Sequence, residues 1–143
     1  FHSKKKKLKI NYLNKSPEQL NTKEKFDVIL NLEVVEHVDN LDLYLRSCHS
    51  LLKKNGLMFT ATINRTLISY VKAIIGAEYI LRWLPIGTHD WNKFIKPEEL
   101  QNKLVNLKFL TNNIKGLEFN PIFNKWKKSN NLSVNYIVCS FKS

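Results

Sequence analysis

Phe26-Asp27-Val28-Ile29-Leu30-Asn31-Leu32-Glu33-Val34-Val35-Glu36-His37-Val38 is an apolar, β-branched run that delivers two carboxylates and an imidazole at its end. In an open α/β sheet, ligands collect outside the carboxyl ends of the strands. With residues 26–32 as a buried strand of that kind, Glu33, Glu36 and His37 stand where chemistry happens. With helix following Leu32, their i, i+3, i+4 spacing puts all three on one face, close enough to share one divalent ion. The competing reading is a solvated helix start, because a metal site also needs correct distances and a second layer of partners.

Outward from this stretch the chain alternates strand and helix. Upstream, Leu8, Ile10 and Tyr12 alternate with polar residues, the period of a half-buried strand. Ser16-Pro17-Glu18 supplies a cap, a proline at the first helical position and an early acid, so a short helix is expected there. Downstream, Asp39-Asn40 marks a turn and cap. Leu41, Tyr44, Leu45, Cys48, Leu51 and Leu52 then recur at helical spacing, and Gly56 suits the left-handed residue that ends the helix. Residues 57–63 read as the next strand, and a strand–helix–strand unit of this length is a right-handed crossover between parallel strands. Residues 67–84 read as an apolar helix broken near Gly76. Lys96-Pro97-Glu98-Glu99-Leu100 opens another, with Leu100, Leu104 and Leu107 on one side. Residues 109–119 and 134–141 read as two closing strands, and two consecutive strands at the end of an alternating chain imply one antiparallel member.

Composition narrows the class. A chain of 143 residues with 43% hydrophobic content can bury one core, so residues 1–143 are expected to form a single domain. Cys48 and Cys139 lie far apart, inside runs that read as core and without metal-ligand spacing. That points to reduced thiols and a cytosolic compartment. The net charge of +11 would suit an anionic membrane or a nucleic acid, but only three of the cations are Arg. Nucleic-acid readers favour Arg at base edges and aromatics on exposed strands. The linear sequence offers no such arrangement, so no nucleic-acid partner is expected. The lysines at 4–7 are not followed by an apolar signal segment, and no stretch reaches the roughly 18 apolar residues of a spanning helix. The chain begins at Phe1, and its only methionine is Met58, which reads as part of something longer.

The order of elements resembles the class I S-adenosylmethionine-dependent methyltransferases. Three segments narrow the resemblance: Asn31 to Val38; Gly76-Ala77-Glu78-Tyr79-Ile80-Leu81-Arg82; and Gly87-Thr88-His89-Asp90 followed by Phe94-Ile95-Lys96-Pro97-Glu98-Glu99-Leu100. Together they look like the ubiquinone-biosynthesis O-methyltransferase family, and Gly116-Leu117, Asn120-Pro121 and Val134-Asn135-Tyr136 continue the match. The resemblance implies a Rossmann-like α/β methyltransferase sheet closed by a C-terminal antiparallel strand. It also implies that the sheet is incomplete. The family holds its cofactor with a glycine-rich loop after the first strand and an acid at the end of the second, and no Gly precedes Gly56. The strand at 26–32 would then be left with an unpaired apolar edge.

The same resemblance implies methylation of a phenolic hydroxyl on a polyprenylated ring, with S-adenosylmethionine as cofactor. A divalent ion, Mg, Mn or Zn, on Glu33, Glu36 and His37 would grip adjacent ring oxygens and lower the phenol pKa. The alternative is His37 as general base, since an ordinary imidazole titrates near pH 6.5. Asn31 and Leu32 lie where the family meets the cofactor. His89 and Asp90 are candidates for the substrate, against the plainer reading of a turn and cap. Residues 68–86 read either as a core helix or as an interfacial lid. The implied partners are the polyprenylated aromatic substrate, an anionic membrane surface and other ubiquinone-biosynthesis proteins. The implied place is cytoplasmic, peripheral to the inner face of the membrane. A non-catalytic remnant, or a lipid-surface module, is the competing class.

Overall fold

The computed structural model describes residues 6–80, 82, 85–120 and 123–143. Five strands form one sheet: β1 (Phe26–Leu32), β2 (Leu52–Ile63), β3 (Phe109–Asn120), β4 (Lys125–Ser129) and β5 (Asn135–Lys142), in the order β1-β2-β5-β3-β4. β1 and β2 are parallel, as the crossover pattern requires. β5 is antiparallel to both β2 and β3, which makes it the reversed member of the closing pair. β4 is an additional strand, antiparallel to β3. Its Lys-Trp-Lys-Lys-Ser sequence shows no apolar alternation, because it packs on no core and is held by its ladder with β3.

Helix α1 (Leu41–Leu51) connects β1 to β2. Asn40 caps it by accepting the Leu43 N–H at 3.0 Å, one of the donors a helix start leaves without a partner. Tyr44, Leu45, Cys48 and Leu51 are buried on its sheet-facing side. Helix α3 (Pro97–Asn106) begins with Pro at its first position, and the Glu99 carboxylate accepts the Lys96 N–H at 3.2 Å. Leu100 and Leu104 from α3 join Leu45, Cys48, Met58, Phe109, Tyr136 and Val138 in the core. Burying a side chain the size of Leu is worth roughly 1.5–3 kcal/mol, so these two positions anchor α3 to the sheet.

Between β2 and α3 lies a short α-turn, α2 (Leu67–Ser69), that runs into a π-helix (Tyr70–Ile80). The expected break at Gly76 is absent. The wider π turn brings the carbonyl five residues back beside each N–H, and a Cβ on Gly76 would lie 3.3 Å from the Val71 oxygen. Glycine fits this helix by close approach and does not end it. Leu67, Ile68, Val71, Tyr79 and Ile80 are exposed, so the described part of this segment is not a buried core helix. Trp83 and Leu84 lie outside the described residues.

Three other expectations are corrected. Leu8, Ile10 and Tyr12 are exposed and form no strand, because alternation makes a strand only where a neighbouring ladder is available. Gly56 is buried inside β2, and the left-handed residue is Asn55, with φ 60°. A Cβ at Gly56 would meet the Lys53 oxygen at 2.9 Å. β1 is not buried on both faces. Among the described residues it pairs with β2 alone, and Val28, Leu30 and Leu32 are exposed. The apolar run therefore sits at a sheet edge, as expected for an incomplete methyltransferase sheet.

Candidate functional site

Ile63 at the end of β2 pairs with Asn135 at the start of β5, and Leu32 at the end of β1 pairs with Ala61. One end of the sheet therefore gathers the carboxyl ends of the parallel strands, where open α/β sheets place ligands. A cleft of about 930 Å³ opens there. It is lined by Glu33, Ile63 and Asn135 at the ends of β1, β2 and β5, by Lys72, Ala73 and His89, and by Leu117, Glu118, Phe119 and Trp126 of the β3–β4 hairpin. Asn64 and Thr66 hold the rim by bonding to the carbonyls of Leu132 and Ser133 at 2.8 and 2.6 Å.

The chain leaves β1 abruptly. The Glu33 N–H still donates to the Ala61 carbonyl at 2.9 Å, but Glu33 itself is left-handed, with φ 54°. A single 3-10 turn, Val35–His37, follows in place of the expected helix. Consequently Glu36 is buried while His37 is exposed, and the trio does not share one face. Among the described residues no three His, Cys, Asp or Glu side chains gather as a metal-holding group.

What the turn does bring together is the two carboxyls. Glu36 Oε2 accepts from the Thr62 hydroxyl at 2.7 Å, and its Oε1 is buried with no hydrogen-bond partner among the described residues. Glu33 is open to the cleft by surface area, yet protein atoms crowd its carboxyl. Its pKa is pushed up to about 7, first by this loss of water and then by the charge and hydrogen bonding of Glu36, against an opposing bond from Asn135. A carboxyl poised near neutrality marks a site where a proton or a cation can be exchanged.

The second pair was not legible in the linear sequence. Glu78 of the π-helix is 1% exposed, and its carboxylate accepts from the Gly87 N–H at 2.7 Å, the His89 N–H at 2.9 Å and His89 Nδ1 at 2.8 Å. Burial alone would raise its pKa. The Gly87 N–H, then the ring and N–H of His89, outweigh that and hold it below the usual range. An ionised carboxylate accepts only, so Nδ1 must carry the proton. That leaves Nε2 as the basic atom of His89. The His89 ring lies 6.2 Å from the His37 ring and 5.8 Å from Phe94, centroid to centroid. The only linear cue to Glu78 was an acid within a long apolar run.

The other expected residues divide. Asn31 is buried, its Oδ1 accepting from the Tyr44 hydroxyl at 2.8 Å and its Nδ2 without a hydrogen-bond partner among the described residues. Its side chain therefore faces the core. Leu32 is exposed at the strand end. Asp90 accepts from the Asn92 N–H at 3.0 Å and caps the turn Trp91–Lys93, which favours the turn-and-cap reading for Asp90 but not for His89. A separate hollow of about 200 Å³ beside Leu20, Ile29 and Cys48 is chiefly apolar. Burial pushes the Cys48 thiol up to about 11, so it offers no thiolate at neutral pH.

Comparisons with known proteins agree with the fold. The chain is 55% identical over 143 residues to the ubiquinone biosynthesis O-methyltransferase of Pelagibacter ubique (strain HTCC1062), covering all of this chain and 60% of that protein. It is 44% identical over 138 residues to the enzyme of the same name from Rhodopseudomonas palustris (strain TIE-1), covering 96% and 54%. The chain thus spans little more than half the length of these curated relatives. Among solved structures, a SAM-dependent methyltransferase from Thermotoga maritima, titled a possible histamine N-methyltransferase, aligns with TM-score 0.63 at 18% identity, covering 92% of this chain and 63% of that one. An S-adenosylmethionine-dependent methyltransferase from Clostridium acetobutylicum ATCC 824 aligns with TM-score 0.66 at 13% identity, covering 99% and 68%. These two share the fold, an incomplete Rossmann-like methyltransferase sheet in this chain. The family model described as "Methyltransferase domain" matches residues 3–109, most of the chain, and the chain belongs to that family.

Proposed function

We propose that this chain serves S-adenosylmethionine-dependent O-methylation of a polyprenylated phenol or catechol in ubiquinone biosynthesis, and that it carries the substrate side of the site. The observation that supports this most is the pairing of the cleft-lining His89 with the buried Glu78, in a cleft that Glu33 also lines. A phenol attacks well only once its proton has somewhere to go. His89 Nε2 is the basic atom in reach of the cleft, and Glu78 fixes its tautomer and would stabilise the imidazolium that forms. His37 stands beside it as the second candidate base. S-adenosylmethionine would supply the methyl group as a sulfonium, and the exposed Leu32 at the end of β1, with the backbone of Asn31, would meet it.

A divalent ion, Mg, Mn or Zn, would have to rest on the Glu33–Glu36 carboxyl pair, since the 3-10 turn does not gather His37 with them as a third donor. The supporting observation is the buried Glu36 oxygen that no donor reaches among the described residues, beside a Glu33 whose pKa burial and Glu36 push up to about 7. A cation answers both. It would supply Lewis-acid activation of ring oxygens, while the chain's residues orient the ring and take the proton. Calorimetric titration with Mn²⁺ at pH 6.5 should show proton release from Glu33, and Glu33→Gln should remove it.

The exposed apolar side of the π-helix supports a seat on an anionic membrane surface, peripheral to the inner face. The same exposure is what favours a second reading, a lipid-surface module without catalysis. A chimera separates the two. This chain, substituted for the matching segment of the Pelagibacter relative, should methylate a polyprenylated catechol, and His89→Ala or Glu33→Ala should lower turnover at least about 100-fold. A chimera that folds and binds S-adenosylmethionine without methylating would overturn the enzyme reading.

A further inference from the structure

Phe119 and Trp126 face each other directly across the β3–β4 ladder, with ring centroids 5.2 Å apart at 46°. Both line the cleft, as does Leu117, two residues along the same face of β3. Trp126 is 60% exposed. A large indole left this open on an outer strand adds little to the core, and a cluster of exposed apolar rings marks a surface meant to be covered. Glu118, between Leu117 and Phe119, also lines the cleft, with its carboxylate accepting from the Ser129 hydroxyl at 2.9 Å and paired with Lys127 at 3.1 Å, whereas Glu33 and His89 line it from outside the β3–β4 hairpin. The cleft is thus amphipathic, with an acidic and imidazole recess in one part and an aromatic wall in another. Its 930 Å³ is at the upper end of the range for small-molecule sites and exceeds what a lone phenol ring would fill.

We infer that the Phe119–Trp126 pair is the seat of the substrate's apolar isoprenoid chain, while the Glu33–His89 recess takes the ring hydroxyl. This rests on the substrate reading above and adds to it the residues that select for the chain. An unsaturated hydrocarbon chain suits this wall, because aromatic faces offer it contact area and demand no hydrogen bond in return. It also fixes the direction of binding: the chain runs out along the β3–β4 hairpin, and the reacting oxygen is held at the carboxyl ends of β1 and β2.

Direct binding tests this without turnover. The full chain is titrated with farnesol, an isoprenoid chain without an aromatic ring, and separately with catechol, a ring without a chain. Tryptophan emission and ligand-observed NMR report the binding. Trp126→Ala should weaken farnesol about tenfold and leave catechol unchanged, and Trp126→Phe should restore most of the affinity. Glu33→Gln should weaken catechol and leave farnesol unchanged. Because Trp126 is exposed, the variants should keep the parent's circular dichroism and melting temperature. Farnesol binding equal to the parent's in Trp126→Ala, or none in the parent, overturns the inference. If only farnesol binds, and does so through Trp126, the chain seat stands and the phenol reading falls; if only catechol binds, the reverse holds.

Discussion

Glu33 is where the physics of a single residue becomes measurable. Its carboxyl ordinarily titrates at 4.5 and in the fold is pushed up to about 7 by burial and by Glu36. Between those values the folded chain holds a proton that the unfolded chain has released. Stability therefore falls as pH rises from about 4.5 to about 7, and is level with respect to this group on either side. Glu33→Gln should flatten that window in urea melts taken at successive pH values. Glu78 works in the opposite sense. Its folded value is held down by three donors, so its stabilisation is present at neutral pH and is lost as the carboxylate protonates under acid conditions. Glu33 faces a second carboxyl and Glu78 meets three N–H donors, and that difference gives the two shifts opposite signs.

At the scale of elements, the π-helix is the segment whose surface asks for a partner. Leu67, Ile68, Val71, Tyr79 and Ile80 are exposed, and no helix among the described residues is long and apolar enough to cross a membrane. Attachment to a membrane surface would combine apolar burial with attraction of lysines to anionic lipid, worth about 1 kcal/mol for each lysine near the surface. Flotation with anionic vesicles should carry the chain upward, and Val71→Ser with Ile80→Ser, which keeps the charge, should reduce it severalfold. Equal flotation of the variant, abolished for both by 0.5 M salt (a screening length of about 4–5 Å), would assign attachment to charge alone. The element's inner side has a different duty, since Glu78 ties it to the loop bearing His89.

For the whole molecule, the governing feature is the open edge of β1. Among the described residues its ladder has one neighbour, and its outward side chains include Leu30, 62% exposed. The Asp27–Lys53 ion pair at 2.8 Å is the charged feature near its start, a weak guard against edge pairing. The isolated chain should therefore associate with itself at micromolar concentration, and Leu30→Lys should shift its sedimentation toward the monomer while leaving its far-ultraviolet circular dichroism unchanged.

The sequence by itself determined the parallel β1–β2 pair, the antiparallel closing strand and the helices at Leu41–Leu51 and Pro97–Asn106, because hydrophobic period, caps and Pro positions are local signals. It also put Glu33, Glu36 and His37 at the end of β1 through the strand-end rule, and offered His89 as a loop residue able to approach a substrate. It did not determine their mutual geometry. Whether Glu36 and His37 share a face depended on the left-handed Glu33 and the 3-10 turn that follows the last ladder bond to Ala61. The Glu78–His89 pair, the β4 strand and the Phe119–Trp126 wall were likewise decided by tertiary structure. Each joins residues several positions apart through a hydrogen bond or a ladder, and no periodicity in the chain encodes such a closure.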